Sequence, residues 1–335
     1  MTNAPKIAND KSPLVASLPL ACADEDAAVA FIEEQRWGGE PVCPHCGTVN
    51  EARQIVGKDG QRGPRYLWRC TACKKQFTVR IGSIFGDSKI PLRHWCYAFW
   101  AACASKKGVS ALQIRRQTGL SYKSALFLMH RIRFAMTPDY GPQAKLSGVV
   151  EADETYVGGS PRQMSRAEKR AARIEAYAKG AKRLPRRTGK SKVPVVAVVQ
   201  RDGEVRASVM PVVTAANIKT MLVENVDLGS TLMTDESPLY TKVGSPFANH
   251  ETVNHSSHEY ARGDAHSNSV ESFFSRLKRQ MYGTHHAVSP RHLHRYVAEV
   301  AFKHNTRKME DGERTLAAIK GAVGKKLDNR SSAAL

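Results

Sequence analysis

Three carboxylates, Asp153, Asp235 and Glu271, stand in contexts that could bring them around a divalent cation. Asp153 follows the apolar run Gly148-Val149-Val150 in GVVEADETYVGG, and Asp235 ends a second apolar run in STLMTDES. Glu271 lies 36 positions after Asp235, in HSNSVESFFSRLKR, where Val270, Phe273, Phe274 and Leu277 recur at helical spacing. Two acids at strand ends and one on a following helix suit two-metal phosphoryl transfer. Magnesium takes hard oxygen ligands, and a pair of ions roughly 3.5–4 Å apart clamps the attacking and leaving oxygens. Manganese favours the same oxygen ligands and could take magnesium's place. Plainer readings exist for each acid. Glu151 shares a strand face with Asp153 by alternation and competes for its role, whereas Glu154 points away; Asp235-Glu236-Ser237-Pro238 would make an ordinary turn. The joint pattern favours the trio. Lys278 lies seven residues beyond Glu271, almost two turns, so it projects from nearly the same side about 10 Å further along the helix, where an ammonium can meet a phosphate.

A second set of side chains points to a different metal. Cys43, Cys46, Cys70 and Cys73 form two CxxC pairs with 23 residues between them. Two such knuckles near short strands (RYLWRC, KQFTVR) complete a tetrahedral thiolate site at about 2.3 Å per Zn–S bond. A redox dithiol or an iron site shares that spacing. A closed zinc site would be structural, folding a segment too short to have its own core. Cys96 and Cys103 fall in an apolar helical stretch and read as packing residues, and Cys22 is assigned nothing.

The chain has 335 residues, enough for about two or three domains, and a net charge of +20. Residues 1–40 hold 3 basic and 7 acidic side chains, so the excess of positive charge lies in the remainder. Such an excess favours a polyanionic partner through phosphate neutralisation and counterion release, and with the three acids it points to DNA. No apolar run reaches about 18 residues, so no membrane span is expected. Pro13 to Ala23 is apolar and follows Lys6 and Lys11, a weak likeness to an export signal, but Pro13 and Pro19 interrupt it. The paired cysteines need a reducing compartment, so a cytoplasmic, nucleoid-associated protein is expected.

The elements that must position these groups fall in order. Residues 1–40 form an acidic segment with a short helix at 24–37, 41–82 the cysteine ribbon, and 83–137 a helical region. Within it, GVSALQIRRQTGLSYKSALFLMHRIRFAM reads as a helix-turn-helix: Ser110 and Ser121 cap two helices, Gly119 supplies the turn, and Ala125, Leu128, Met129 and Ile132 form the buried stripe. Tyr122, Lys123, His130, Arg131 and Arg133 are left off the core, and Tyr122, Lys123 and Arg131 are the candidates for DNA contact. A linker at 138–147 leads to an α/β domain at 148–310, and 311–335 reads as a tail. Strands at 148–152, 194–200, 204–212, 231–235 and 251–255, with helices at 215–226, 267–281 and 290–304, give the order of an RNase H-like mixed five-stranded sheet. The stretch 160–192 carries 12 basic and 2 acidic residues and reads as a solvated loop or a DNA-gripping arm.

Taken together, RWGGEPVCPHCG, CTACKKQFTVRIGSIF, KKGVSALQIRRQTGLSYKSALFLMHRIR, VEADETYVGG and HSNSVESFFSRLKR resemble, in the same order, the DDE class of bacterial insertion-sequence transposases, in the insertion-sequence family fifteen-ninety-five. The resemblance runs from about Asp24 to Arg307 and implies an N-terminal zinc ribbon joined to an RNase H-like integrase core, with catalytic acids at Asp153, Asp235 and Glu271 and Lys278 as the basic residue beyond them. It implies two Mg2+ ions (or Mn2+) and one structural Zn2+, nicking of an element's ends, and joining of the freed 3′ hydroxyl to target DNA. Terminal inverted repeats and target duplex would be the partners, and joining two ends implies a homodimer or larger. His266 and Asn268 could orient Glu271 or a phosphate, or cap a helix start, and His255, His258 and Tyr260 are weaker candidates. Two other readings remain: a DNA-binding regulator with a vestigial core, and a structure-specific nuclease that cuts without joining.

Overall fold

The computed structural model describes residues 13–138, 145–158, 166–178, 192–241, 243–253 and 266–327. The chain forms two compact units, Met1–Tyr140 with Ala298–Leu335, and Gly141–Val297. The first begins with α1 (Pro13–Ala23) and α2 (Glu25–Trp37). Asp24 caps α2 by accepting from the Ala27 N–H, and Gly38, in the left-handed region at φ 58, ends it. A three-stranded antiparallel sheet follows, of β1 (Ala52–Gln54), β2 (Trp68–Cys70) and β3 (Gln76–Phe77). Then come α3 (Leu92–Ala104), α4 (Ala111–Thr118) and α5 (Tyr122–Ala135).

The α4–turn–α5 unit follows its sequence signals. Ser110 and Ser121 accept from the N–H groups of Gln113 and Ser124, and Gly119 (φ 72) supplies the left-handed turn. Ala125, Leu128, Met129 and Ile132 are fully buried, and Tyr122 and Lys123 are exposed on the first turn of α5. The rest of the α5 surface departs from expectation. His130, Arg131 and Arg133 lie inside, at 5%, 4% and 1% exposure. Arg131 donates to the carbonyls of Ile84, Gly86 and Leu327, and Arg133 pairs with Glu299 at 2.7 Å. Segments distant in sequence wrap α5 on a second side, and Arg131 supplies the donors their carbonyls need.

The second unit holds β4 (Val149–Val157), α6 (Arg166–Ala178), β5 (Val193–Gln200), β6 (Val205–Val209), α7 (Ala215–Asn225), β7 (Thr231–Asp235), α8 (Pro238–Thr241), β8 (Asn249–Val253) and α9 (Asn268–Gln280). Its sheet is five-stranded and mixed, in the order β6-β5-β4-β7-β8. β4, β5 and β6 pair antiparallel, whereas β7 and β8 run parallel to β4. One face of the sheet (Val150, Ala152, Val196, Val198) packs with Ile218 and Leu222 of α7. The other receives α9, whose Val270, Phe273, Phe274 and Leu277 are buried as their spacing predicts. Within the basic stretch 160–192 the described part is α6, on which Arg170 and Arg173 are exposed.

α10 (Leu293–Asn305) and α11 (Asp311–Lys320) follow. The segment from 311, read as a tail, contains this helix. Ala318, Ile319 and Ala322 are buried in the core of the N-terminal unit, beside Trp95 and Phe99 of α3. A boundary at 310 therefore does not match the packing: among the described residues, 298–327 group with the N-terminal unit.

Candidate active site

Asp153 and Asp235 meet through strand register. β4 pairs in parallel with β7 at Val149↔Thr231, Val150↔Leu232 and Glu151↔Met233. Each aspartate lies two residues past the last of these pairs, so both project from the same sheet face; Asp235 ends β7, whereas β4 runs on to Val157 and leaves Asp153 within the strand, not at the strand end expected from the sequence. Glu271 comes to that face from the first turn of α9. Asp153 feels the other two acids. Burial, and then the charges of Asp235, Glu154 and Glu271, push the Asp153 carboxyl up to about 7, although its Oδ1 accepts the Glu154 N–H at 2.7 Å. That is an excess of negative charge held in one place, in a chain that is otherwise strongly basic. A divalent cation would neutralise it, and an all-carboxylate donor set suits magnesium or manganese.

Glu151, the competitor for the role of Asp153, does something else. It is fully buried, and its Oε2 accepts the N–H groups of Ser269 (2.7 Å) and Val270 (3.1 Å) while Oε1 accepts from Arg201 Nε (2.9 Å) and the Ser269 hydroxyl (3.1 Å). The carboxylate thus closes the N-terminus of α9, where the helix dipole favours negative charge, and ties the helix of Glu271 to the strand of Asp153. Glu154 is turned toward Tyr240, which packs with Val150 and Ala152. Its carboxylate accepts from the Tyr240 hydroxyl at 2.7 Å, and burial followed by the charge of Asp235 raises its pKa. β4 pairs with β7 only as far as Glu151 in the named strands.

A groove at this site has a volume of about 610 Å³ and is lined by Asp153, Glu154 and Thr155 of β4 and by Glu271, Lys278 and their neighbours on α9. Lys278 is exposed in it, on the same side as Glu271. Ser267, which sequence reading passed over, donates from its hydroxyl to Glu271 Oε1 at 3.2 Å. The neighbours proposed for that task are placed differently. His266 puts Nδ1 3.3 Å from Glu151, its carbonyl accepts from Arg201, and Asn268 is exposed. Arg279 and Tyr282 line the groove and were also unforeseen. Ser267, Arg279 and Tyr282 lie within the quoted HSNSVESFFSRLKR segment or just after it, and their helical spacing from Glu271 was the available signal. His255, His258 and Tyr260 lie outside the described residues.

The cysteine cluster stands in the first unit. Among the described residues, the four sulfurs of Cys43, Cys46, Cys70 and Cys73 are the group of ligating atoms gathered within 4.8 Å of one another; the three acids are not drawn together that tightly. The Cys43–Cys73 and Cys46–Cys70 separations are both 3.7 Å. A tetrahedron with Zn–S bonds of about 2.3 Å has edges of about 3.8 Å, so the cradle fits zinc. The Thr48 hydroxyl and the backbone N–H of Cys73 hold the Cys70 thiol down to about 6, toward the thiolate a metal requires. Trp37 packs edge-on against Trp68 and Phe77 behind the cluster.

Comparison with known proteins agrees with both halves. Residues 145–305 match the ISXO2-like transposase domain, and residues 23–76 match the transposase zinc-ribbon domain. The chain thus carries the transposase domain and the transposase zinc-ribbon domain of one insertion-sequence family, 1595. It is similar to an uncharacterized protein in transposable element ISH50 of Halobacterium salinarum, 27% identical over 277 residues that cover 82% of this chain and 88% of that protein. A solved structure of the simian T-cell lymphotropic virus intasome, in complex with PP2A regulatory subunit B56 gamma, aligns over 56% of this chain and 67% of its own at 12% identity, with a TM-score of 0.27. Among the described residues no helix is long and apolar enough to cross a membrane.

Proposed function

We propose that this chain is a DDE transposase that cuts and joins the ends of its insertion sequence, with Asp153, Asp235 and Glu271 as the catalytic acids of an RNase H-like core. The reading is carried by register: Asp153, midway along β4, and Asp235, at the end of the neighbouring parallel β7, project from one sheet face, and α9 presents Glu271 to that face. The three carboxylates would hold magnesium, whose charge stabilises the attacking and leaving oxygens of an in-line phosphoryl transfer. Asp153 and Asp235 are fixed by the sheet, and Glu271 is oriented by Ser267 and by the Glu151 anchor, so the donor set is preorganised. Lys278 contacts a phosphate of the strand being cut. Water attacks first and releases a 3′ hydroxyl; that hydroxyl then attacks a target phosphodiester through the same donors. The exposed Tyr122 and Lys123, on the first turn of α5, read the terminal repeats as part of a helix-turn-helix, with one structural zinc in the ribbon. The basic stretch 160–192 holds flanking or target DNA, two or more copies assemble on paired ends, and the protein works at the nucleoid in the cytoplasm.

The test is a strand-transfer assay with a labelled terminal-repeat oligonucleotide. Joined product supports the proposal. Cutting without joining would make the chain a nuclease, and end binding without either reaction would make it a regulator.

A further inference from the structure

The face of α9 that carries Glu271 continues past the lysine. Glu271, Ser275, Lys278 and Tyr282 are spaced by four, three and four residues, one stripe about 16 Å long. After Gln280 the chain turns through a π-helical stretch, Met281–His285, a wider turn that is frequent at functional positions. Tyr282 emerges from it 50% exposed, and its hydroxyl donates to the Gly158 carbonyl, just past the end of β4, at 3.3 Å. The phenol oxygen is therefore pinned while much of the ring stays open. With Lys278 and Arg279 it lines the groove away from the acids. Arg279 Nη2 donates to the Ser275 hydroxyl at 2.9 Å, which holds the guanidinium along the helix.

A tyrosine ring held open beside two cations suits unpaired nucleic acid: cations follow the backbone while the aromatic face stacks on a base, whatever its identity. We propose that Tyr282 is a base platform, on which a nucleotide of the strand running past Glu271 and Lys278 stacks after leaving the duplex. Extruding a base sacrifices stacking within the duplex, and the tyrosine face replaces it. The proposal rests on the reading of this groove as a DNA site, and Lys278 is the backbone contact next to the platform.

The test uses the full chain and a mixed-sequence DNA duplex ending in a short single-stranded overhang, with 5-iodouracil placed at successive overhang positions. Irradiation should crosslink one or two of these positions to Tyr282, as mapped by peptide mass. In binding titrations Tyr282→Leu should hold overhang DNA about tenfold more weakly, and Tyr282→Phe within about twofold of wild type, because the ring and not the hydroxyl does the stacking. Blunt duplex should bind all three alike. Crosslinks elsewhere with Tyr282→Leu binding normally would reject the platform yet leave the groove a DNA site. Tyr282→Phe as weak as Tyr282→Leu would show that the Gly158 hydrogen bond matters instead, and would also overturn it. A wild-type chain that binds neither DNA would overturn the DNA reading of the groove as a whole.

Discussion

Glu151 closes the N-terminus of the helix that carries Glu271: its Oε2 accepts the backbone N–H of Val270 at 3.1 Å, across 119 positions of sequence. The same carboxylate takes Arg201 and Ser269, so one buried charge fixes β4, the start of α9 and the turn after β5 together. Glu151→Gln replaces a charged acceptor of all four bonds with a neutral amide that has one acceptor oxygen, so the bonds to Arg201, Ser269 and Val270 weaken or are lost. We expect a loss of about 3 kcal/mol in stability. Joining should fall by about a hundredfold through displacement of Glu271. Thermal melts and joining assays on the same preparation check both, and a variant that melts lower yet joins at the wild-type rate would reduce Glu151 to a folding residue.

The charge held at Asp153 predicts a pH dependence. Its carboxyl titrates at about 7 in the folded, metal-free chain against 3.8 ordinarily. Between those values the folded state keeps a proton that the unfolded state has lost, so this group's contribution to stability falls as pH rises through the window and is fully lost above it. Asp153→Asn removes the penalty. Without divalent metal it should melt about 5 °C above wild type at pH 8 and level with it at pH 4. Magnesium should raise the melting temperature of the wild type at pH 8 and do so less at pH 5, where protons compete. Equal melting of the two proteins at pH 8 would mean that Asp153 is not held among uncompensated charges.

The ribbon should bind one zinc per chain. Cys43→Ser or Cys73→Ser should lose it and unfold the segment around β1–β3, because two knuckles do not stay closed without their ion. Metal analysis and terminal-repeat binding check this together. Iron in the purified protein, or normal binding by a metal-free variant, would contradict it.

The polar residues Tyr122, Lys123 and Arg131 of α5 should divide into two kinds. Lys123→Ala and Tyr122→Ala should narrow the difference in affinity between terminal-repeat and random DNA, each by about 1–3 kcal/mol, with little change in melting. Arg131→Ala should instead lower stability, since it strips donors from three buried carbonyls, and any change in DNA affinity should follow unfolding. Salt-dependent binding and melting curves separate the two. Arg131→Ala that folds normally but loses sequence discrimination would return Arg131 to the DNA surface.

Local chemistry was legible in the sequence, and long-range partnership was not. The four cysteines, the caps at Ser110 and Ser121, the Gly119 turn and the buried stripe of α9 each rest on short spacings, and each falls where those spacings put it. Strand alternation placed Glu151 on the face of Asp153, but it could not say that a helix N-terminus over a hundred residues away would occupy that carboxylate. Arg131 looked exposed because a four-residue stripe describes one side of α5, whereas 84–86 and 327 enclose another. α11 carries an ordinary amphipathic pattern, and nothing within it names α3 as its neighbour.

The measurement that bears most directly on the account is joining of a labelled terminal-repeat end to target DNA in magnesium, with Asp153→Asn, Asp235→Asn, Glu271→Gln and Lys278→Ala compared with wild type. Each acid variant should lose joining altogether while binding the end normally. Lys278→Ala should join weakly at an unchanged magnesium requirement, because its ammonium meets the strand and not the metal. Full joining by any one of the three acid variants, with wild type active beside it, would contradict the assignment of the active site.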